Sequence, residues 1–388
     1  MDLGALKICI IGAGVAGLAA ARALALRGAE VTVLEQAEAV REVGAGLQVS
    51  PNGLAVLHAL GLDAALRATA LPAQAISLRD YRGAPVVRLD LTSLPPGQDY
   101  LLVHRADLIE VLAEGARDAG VSIRLLQKVD RVDLDGGVVH TACGIQVHAD
   151  VIVGADGLHS VLRQQILGKT APFFTHQVAW RAIIPNHLHF PAEARVYMGP
   201  KKHLVCYPLR DGAELNLVAV QERGDWAEEG WHHEDDSKNL QAAFAEFGPE
   251  VHALLDRVER VGLWGLFRHP VAPQWSQGRG VLMGDAAHPT LPFLAQGANM
   301  ALEDAWVLAD ALQGAETVAE GFAAYQSRRR DRCARIVKAA SGNAWKYHLS
   351  APPVRWAAHL AMRTLGAVAP GQLLRQYAWI YDHDVTKG

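Results

Sequence analysis

The pattern of apolar and polar positions changes character along the chain. The first region opens with an apolar run, Ile8 to Ile11, which breaks at Gly12. Apolar residues then recur at helical spacing as far as Leu26, and a second apolar run follows between residues 31 and 34. A strand, a helix and a second strand in this order predict a β-α-β unit with parallel strands.

A second region alternates apolar and polar residues, which is the period of a half-buried strand. It begins between residues 74 and 90, around an Arg82-Gly83 turn, and resumes between residues 172 and 275. The alternating segments there are Gln177 to Ile184, Ala194 to Met198, His203 to Leu209 and Leu215 to Gln221. These segments predict a second, mainly antiparallel sheet.

Two further buried strands each end in an acidic residue beside a glycine. One precedes Asp156 and Gly157, and the other, Val281 to Met283, precedes Gly284 and Asp285. A helical pattern follows each of them, and the second predicts a long helix from Met300 to Leu312. Open α/β sheets bind ligands at the carboxyl ends of their strands, so both acids are candidate ligand-binding residues. Asp156 could also cap the helix that follows it.

We therefore expect an α/β fold: a Rossmann-type domain with a parallel sheet, a mainly antiparallel β-sheet substrate domain, and C-terminal helices. The expected boundaries are 1–72, 98–171 and 276–320 for the nucleotide-binding domain, 73–97 and 172–275 for the substrate domain, and 321–388 for the helical region. Strands over 122–132 and 138–143 are expected to pair as a hairpin-like excursion. Residues 354–368 are expected to form an amphipathic helix that packs on the body.

The first β-α-β unit carries a G-x-G-x-x-G motif made of Gly12, Gly14 and Gly17. The first glycine permits a tight turn, the second lets the backbone approach a pyrophosphate, and the third lets the helix pack closely on the strand. Glu35 ends the second strand, where an acid can accept hydrogen bonds from a ribose diol. The motif in this context predicts a dinucleotide-binding site.

Composition narrows the class of protein. The chain has 388 residues, of which 50% are hydrophobic and 20% charged, and its net charge is −4. These values favour a globular protein of two or three domains and give no indication of nucleic-acid binding. The absence of a leader or spanning pattern, and cysteines scattered without a C-x-x-C motif, favour a cytoplasmic protein with no disulfide framework and no zinc site.

Two histidine-containing stretches resemble sites without convincing spacing. His232 to Asp236 has the composition of a metal cluster, but adjacent residues rarely converge on one ion, so a solvated loop is the better interpretation. His288, beside Pro289, is interpreted as a structural partner. We expect no metal.

Together these motifs resemble the single-component FAD-dependent aromatic hydroxylases, in particular the salicylate and 3-hydroxybenzoate hydroxylase branch. The resemblance covers nearly the whole chain. It depends on the glycine motif with Glu35, on His-Arg-Ala-Asp-Leu around Arg105, on Gly154 to Ser160 and on Gly284 to Pro289. The stretches Gly44 to Asn52, Trp180-Arg181-Ala182 and Leu291 to Asn299 resemble the branch most closely.

The resemblance implies FAD as the cofactor, with NAD(P)H as a transient cosubstrate that has no Rossmann motif of its own. It implies that Glu35 binds the adenosine ribose, Arg105 the pyrophosphate and ribityl region, and Asp285 the ribityl chain. The backbone of Val129 would contact adenine. The cofactor-binding residues implied in this way are Gly12, Ala13, Gly14, Val15, Ala16, Gly17, Glu35, Gln36, Gln48, Arg105, Val129, Asp156, Asp285, Pro292, Gly297, Ala298 and Asn299.

The implied reaction is hydroxylation of a small hydroxylated aromatic acid. NAD(P)H reduces the FAD, O₂ adds at the flavin C4a carbon, and the resulting hydroperoxide donates an OH group to the ring. The protein must exclude water and must remove the proton of the substrate's phenol, because a phenolate is the stronger nucleophile.

The residue that removes this proton is left open among four candidates: Tyr207, Gln296, Gln48 and His203. Some relatives of the hydroxybenzoate type place a histidine where this chain has Cys206. His203 lies an odd number of positions earlier, so in a regular strand it faces the opposite way to Cys206, and only a bulge would bring it to the same side. Gln48 stands where hydroxypyridine-acid relatives can carry histidine, which weakens that substrate class.

Three other functions are compatible with parts of the pattern. One is a non-enzymatic nucleotide sensor, which would need only the first β-α-β unit. Another is a monooxygenase of the same fold that epoxidises or hydroxylates a larger substrate such as a polyketide, and the third is a hydroxynicotinate-type hydroxylase. A monomer or homodimer without membrane or nucleic-acid partners is expected.

Overall fold

The computed structural model describes residues 1–40, 45–169, 171–224 and 234–387. Its strands, in chain order, are β1 Lys7–Ile11, β2 Glu30–Leu34, β3 Gly46–Val49, β4 Leu71–Pro72, β5 Ala75–Asp80, β6 Pro85–Asp90, β7 Leu101–His104, β8 Ser122–Arg124, β9 Val129–Asp133, β10 Val138–Thr141, β11 Gln146–His148, β12 Val151–Gly154, β13 Phe173–Pro185, β14 Glu193–Gly199, β15 Lys202–Leu209, β16 Glu214–Glu222, β17 Glu234–Asp235, β18 Val261–Arg268, β19 Ser276–Gln277 and β20 Gly280–Leu282.

The α-helices in the same residues are α1 Val15–Ala25, α2 Pro51–Ala59, α3 Asp63–Arg67, α4 Arg105–Asp118, α5 Val161–Leu167, α6 Ser237–Ala243, α7 Pro249–Leu255, α8 Gly297–Gly314, α9 Val318–Tyr347, α10 Pro352–Val368, α11 Pro370–Arg375 and α12 Ala378–Tyr381. Short 3-10 helices occur at Leu3–Ala5, Leu91–Ser93, Gly284–Ala286 and Pro292–Leu294.

The predicted parallel sheet is present, with its described strands in the order β19-β20-β12-β1-β2-β8. β1 lies between β12 and β2 and pairs with both in parallel. β20 continues the parallel arrangement beside β12. Because parallel strands end at the same edge, the turns after β1, β12 and β20 meet there. This edge is where the two acids and the glycine motif converge.

The predicted antiparallel sheet is also present, with the described order β17-β18-β13-β16-β15-β14-β5-β6. Residues 75–90 join it as β5 and β6, and β5 pairs with β14 in parallel. Helices α6 and α7, which alternation did not predict, cover its outer face through Phe244 and Leu254. Its inner face packs against the segment around Leu291 and Phe293. The two sheets and the C-terminal helices confirm the predicted fold class.

Some local predictions were wrong. The strand expected over 122–132 is two strands: β8 pairs with β2 in the parallel sheet, whereas β9 pairs with β10 in a separate small sheet. The chain turns between them at Leu126, which has a φ of 57°. The long helix begins at Gly297 rather than Met300. The amphipathic helix expected over residues 354–368 is confirmed as α10, which packs on β6 and leaves Trp356 and Val368 exposed.

Parts of two predicted stretches, Arg41 to Gly44 and Trp226 to His233, lie outside the described residues. Of the acidic cluster near them, Asp235 accepts a hydrogen bond from the Trp180 indole, and Asp236 caps α6. None of the helices in the described residues is both long enough and apolar enough to cross a membrane.

Candidate active site

The glycine turn after β1 forms a cradle that is open at one position. A Cβ atom added to Gly12 would lie 2.5 Å from the carbonyl oxygen of Ala155, and one added to Gly17 would collide with the carbonyl oxygen of Gly12. A Cβ atom added to Gly14 would meet no atom of the described residues within 4 Å. The turn is therefore closed on the protein side and open over Gly14, as a pyrophosphate resting on the start of α1 requires.

Glu35 is fixed beside this turn by both carboxylate oxygens. Its Oε2 accepts a hydrogen bond from the amide of Ala13 at 2.8 Å, and its Oε1 accepts one from the amide of Ala37 at 2.9 Å. Each oxygen keeps further acceptor capacity, which suits a ribose diol. The exposed Gln36 follows directly, and β9 starts at Val129, close to the backbone bond from Gln127 to Glu35.

The turn after β20 presents Asp285 to the same groove. A Cβ atom on Gly284 would lie 2.9 Å from that of Ala16, so this turn packs on the first turn of α1. Asp285 is exposed to solvent although protein surrounds it on most sides, which places it deep in an open groove. Burial raises the pKa of its carboxyl, while His288 and Arg105 oppose that shift. Arg105 therefore lies close enough to act on the same groove.

The two carboxylate oxygens of Asp156 have different surroundings. Its Oδ2 accepts a hydrogen bond from the amide of Val161 at 2.7 Å, so it does help to cap α5. Its Oδ1 is buried and has no hydrogen-bond partner in the described residues, and burial raises the pKa of the carboxyl. Because a buried oxygen without a partner is costly, Oδ1 is suited to accept a hydrogen bond from a ligand.

Helix α8 directs its N-terminus into the site. The chain reaches it through the Pro292–Leu294 turn and Ala295, whose φ is 52°. In the part of the chain that the structure describes, no side chain caps this helix, so the amides of Gly297, Ala298 and Asn299 are available at its positive end. Such a terminus can hold negative charge on a reduced ring system.

The structure does not support Gln296 as a catalytic group. Its Nε2 donates to the Ser50 hydroxyl at 2.9 Å, and its Oε1 accepts from the Asn52 amide at 3.1 Å. The side chain is 2% exposed. Both ends of the amide are thus engaged in the protein, and Gln296 positions the α8 N-terminus instead of pointing at a bound ring.

The Asn299 side chain has a similar positioning role. Its Oδ1 accepts from the Ser50 amide, and its Nδ2 donates to the carbonyl oxygen of Gln48, both at 3.0 Å. Asn299 therefore holds β3 against α8, and both ends of its side-chain amide are engaged within the protein. This cross-link places the Gln48 side chain near the substrate side of the site.

The inner face of the antiparallel sheet gives the site its second wall. Residues that pair directly across strands share a face, and His203, Val205 and Tyr207 alternate along β15 on the same side. Val205 pairs with Val218 on β16, and Val218 pairs with Arg181 on β13. Arg181 therefore lies in the cross-strand row of Val205, between the rows of His203 and Tyr207. Cys206 points the other way, into the apolar layer under α6 and α7.

His203 lies on the face of β15 that is turned toward the cofactor domain. The sequence comparison with Cys206 was correct about opposite faces, but the face that looks toward the cofactor domain is that of His203 and Tyr207. No bulge is needed, because β15 pairs regularly with β16 through this stretch. The ring of His203 lies 5.5 Å from that of Phe293 in the turn before α8.

Tyr207 and Gln48 belong to one buried polar group. Gln48 accepts a hydrogen bond from the Tyr100 hydroxyl at 2.6 Å. Burial raises the pKa of Tyr207, whereas Arg181 and Gln48 act in the opposite direction. Tyr207 is therefore a neutral hydrogen-bonding group at neutral pH.

The sequence pattern predicted no individual role for Arg181, which lies in the Trp180-Arg181-Ala182 stretch. Its guanidinium stacks over the Trp264 ring at 4.5 Å. Burial lowers its pKa to about 10, Tyr207 raises it and Arg105 lowers it. The site therefore contains a half-buried cation that remains charged at neutral pH.

The described residues His288, Asp304 and Cys333 could in principle hold a metal ion. However, Asp304 already pairs with His288 at 2.5 Å and with Arg329 at 2.7 Å. Burial would lower the pKa of His288, but the Asp304 carboxylate raises it well above its ordinary value. We interpret this group as an ion-pair network, consistent with the structural role expected of His288.

Comparison with known proteins agrees with this geometry. The family model described as FAD binding domain matches residues 5–340. The 3-amino-4-hydroxybenzoate 2-monooxygenase PtmB3 of Streptomyces platensis is 35% identical, covering 98% of this chain and 96% of its own. The 3-hydroxybenzoate 6-hydroxylase of Polaromonas naphthalenivorans is 35% identical, covering 88% of each chain. Klebsiella pneumoniae HpxO, solved with FAD and uric acid, superposes with a TM-score of 0.83 at 26% identity, covering 95% of this chain and 96% of its own.

The chain belongs to the FAD binding domain family. It is an FAD-dependent monooxygenase, as the full-length similarity to named monooxygenases shows. FAD is its cofactor, which confirms the prediction from the glycine motif and rules against a non-enzymatic nucleotide sensor. The roles of individual site residues stay predictions.

Proposed function

We propose that the protein uses NAD(P)H and O₂ to hydroxylate a small aromatic acid that already carries a ring hydroxyl, of the salicylate or hydroxybenzoate type. The observation that carries the proposal is the half-buried Arg181, which lies between the rows of His203 and Tyr207. A guanidinium suits a carboxylate through charge-assisted hydrogen bonds, and the flanking polar groups suit a phenol. The named hydroxybenzoate-type relatives support the same class of substrate.

The protein's own residues then have distinct tasks. FAD, when bound, supplies the reduction by NAD(P)H and the activation of O₂. Glu35, Asp285 and Arg105 would hold it, and the α8 N-terminus would face the ring. The apolar contacts of Leu291 and Phe293 with the inner sheet face exclude water from the reacting ring.

Two groups remain candidates for handling the phenol proton. Tyr207 would hydrogen-bond the substrate's hydroxyl or carboxylate, with Gln48 as its own neighbour. His203 would be the base, because its ring is hydrogen-bonded to His348 through Nδ1 and has Nε2 left to accept the proton. Burial lowers the pKa of His203 well below its ordinary value, so the ring is neutral before it accepts that proton. A cytoplasmic location, a monomeric or homodimeric state and the domain boundaries given above belong to the proposal on the same sequence grounds.

Arg181→Met tests the proposal through substrate preference. In FAD-loaded wild type, a panel of salicylate, 3-hydroxybenzoate, 3-amino-4-hydroxybenzoate and 6-hydroxynicotinate is scored for NAD(P)H oxidation and hydroxylated product. The variant should raise KM for the preferred acid about ten- to hundredfold, because one charge-assisted interaction contributes about 1.5–3 kcal/mol. KM for the corresponding amide should change little.

Arg260→Met is the matched control, since Arg260 is exposed on the same domain and pairs with Glu234 at 2.6 Å. Its KM for acid and amide should equal the wild-type values. If Arg181→Met raises KM equally for the acid and for the amide, Arg181 does not bind the substrate's carboxylate. If no aromatic acid stimulates NAD(P)H oxidation in the wild type, the substrate class is wrong.

A further inference from the structure

A chain of hydrogen bonds runs from the protein surface to the inner face of the antiparallel sheet. The Oε1 of Glu222 lies 2.9 Å from His348 Nδ1, and His348 Nε2 lies 2.7 Å from His203 Nδ1. The Glu222 side chain is 39% exposed, whereas His348 and His203 are 4% and 2% exposed as residues. The chain thus connects solvent to a buried imidazole through one further buried imidazole.

The inner end of the chain lies on the sheet face that forms the wall of the proposed site. His203 shares the face of β15 that carries Tyr207, and its ring contacts Phe293 of the turn leading to α8. The outer end lies at the last residue of β16 and at the C-terminal end of α9. Three separate elements therefore supply the three groups.

The spacing of the nitrogen atoms allows one consistent set of tautomers. His348 must carry its proton on Nδ1 to donate to the Glu222 carboxylate, and its Nε2 then accepts from His203 Nδ1–H. This leaves a lone pair on His203 Nε2, which makes no hydrogen bond within the described residues. The free end of the chain is therefore a proton acceptor.

The electrostatic surroundings keep both imidazoles neutral. Burial and the neighbouring His348 lower the pKa of His203 well below its ordinary value. Burial also lowers the pKa of His348, and the Glu222 carboxylate acts against that shift. Among the described residues, Tyr347 is the other titratable side chain whose ring contacts His203. Neutral imidazoles can both accept and pass on a proton.

We propose that His203, His348 and Glu222 form a relay that carries the ring-hydroxyl proton of the substrate from the pocket to solvent. The proposal rests on the proposed function, because it needs a phenolic substrate. The substrate's O–H bond breaks, its electron pair stays on oxygen, and an N–H bond forms at His203 Nε2. His203 Nδ1–H passes to His348 Nε2, and His348 Nδ1–H passes to Glu222, which releases it to water.

Each imidazole gains one proton and loses one, so no charge accumulates on either ring. The two rings end in their alternative tautomers. Protonation of the product's oxygen along the same chain in the reverse direction restores the starting tautomers before the next turnover. His203 would contact the substrate, while His348 and Glu222 act through it as positioning residues.

The test measures ionisation of the bound ring, which a purely structural role of these side chains would not change. FAD-loaded protein is mixed with 3-hydroxybenzoate or 3-amino-4-hydroxybenzoate without NAD(P)H, and phenolate absorbance is followed in time. Glu222→Gln keeps a hydrogen-bond acceptor but cannot take the proton, so ionisation should slow about tenfold or more. His348→Ala should be at least as slow and should be rescued by added imidazole.

Glu214→Gln is the matched control, because Glu214 lies on the same strand and pairs with Arg210 away from the chain of histidines. It should ionise the probes at the wild-type rate. FAD content and probe affinity should be unchanged in Glu222→Gln, which separates a lost relay from a damaged site.

The outcomes distinguish the two proposals. If the wild type ionises a bound probe and both variants do so at the same rate, or imidazole fails to rescue His348→Ala, the relay is wrong and the proposed function stands. If the wild type ionises neither probe and no aromatic acid stimulates NAD(P)H oxidation, the proposed function fails and the relay fails with it. Nitrogen NMR provides a further check, since an Nε2–H tautomer at His203 in the resting holoenzyme would contradict the relay.

Discussion

Replacing Arg329 by methionine is expected to lower the free energy of unfolding by about 3–5 kcal/mol, because the change removes the buried cation that two buried carboxylates share. Arg329 is fully buried and pairs with Asp304 at 2.7 Å and with Glu303. It also donates to the carbonyl oxygen of Met300 at 3.2 Å. This one guanidinium therefore ties α9 to α8.

The pairing of Glu303 with Arg329 also makes the stability of the wild type depend on pH in acid. Burial alone would raise the pKa of Glu303, but Arg329 and Arg332 lower it to about 2. A carboxylate whose pKa is lower in the folded state adds stability above its unfolded pKa, and this contribution is lost as the pH falls toward 2. In Arg329→Met the acid-dependent loss should be smaller and should be complete at a higher pH, because the folded-state pKa of Glu303 moves toward its unfolded value.

Urea unfolding with FAD in excess measures this effect, with Arg328→Met as the control. Arg328 is the preceding residue on α9, and its side chain is 37% exposed and pairs with the exposed Asp310. Loss of such a surface pair should cost less than about 1 kcal/mol. Similar small changes in both variants would contradict the importance assigned to the buried network.

The second large effect is expected at Asp285, whose replacement by alanine should weaken FAD binding about tenfold or more. A carboxylate that accepts hydrogen bonds from ribityl hydroxyls contributes about 1.5–3 kcal/mol, and about 1.4 kcal/mol corresponds to a tenfold change in affinity. Asp285→Asn should retain part of the affinity, since it keeps an acceptor but loses the charge.

Titration of apoprotein with FAD, followed by flavin fluorescence, measures the change. Asp310→Ala removes an exposed acid from α8 and serves as the control with unchanged affinity. If Asp285→Ala binds FAD with wild-type affinity, Asp285 does not contact the cofactor. Its accessible carboxylate in the groove would then have no assigned role.

The cofactor half of the site could be predicted from the sequence because its signals are local. Gly12, Gly14 and Gly17 are close in the chain, and the strand before them and Glu35 after them set their structural context. The same holds for Asp285, which directly follows a buried strand. Short-range pattern and backbone requirements were sufficient there.

The substrate half could not be predicted in the same way because its contacts join distant segments. Gln296 was a catalytic candidate until the structure showed its amide between Ser50 and Asn52. The alternating pattern predicted correctly that His203 and Cys206 face opposite sides of β15. It did not predict which side faces the cofactor domain. Helices α6 and α7 decide that side, because they pack on the face that carries Cys206. No local sequence pattern predicted this packing.

The hydrogen-bonded chain to solvent had still less signal in the sequence. Glu222 ends a strand and His348 follows a long helix, and neither belongs to a recognisable motif. Only the tertiary arrangement brings them to His203. Such networks are found by following buried polar groups to their partners.

The most direct test of the account is the origin of the oxygen atom in the product. FAD-loaded protein, NAD(P)H and the preferred aromatic acid of the panel are incubated under isotopically heavy O₂ in ordinary water, and the product is analysed by mass spectrometry. The account predicts a hydroxylated acid that contains one heavy oxygen atom per molecule. Consumption of NAD(P)H with hydrogen peroxide but no labelled product, for every acid in the panel, would contradict it.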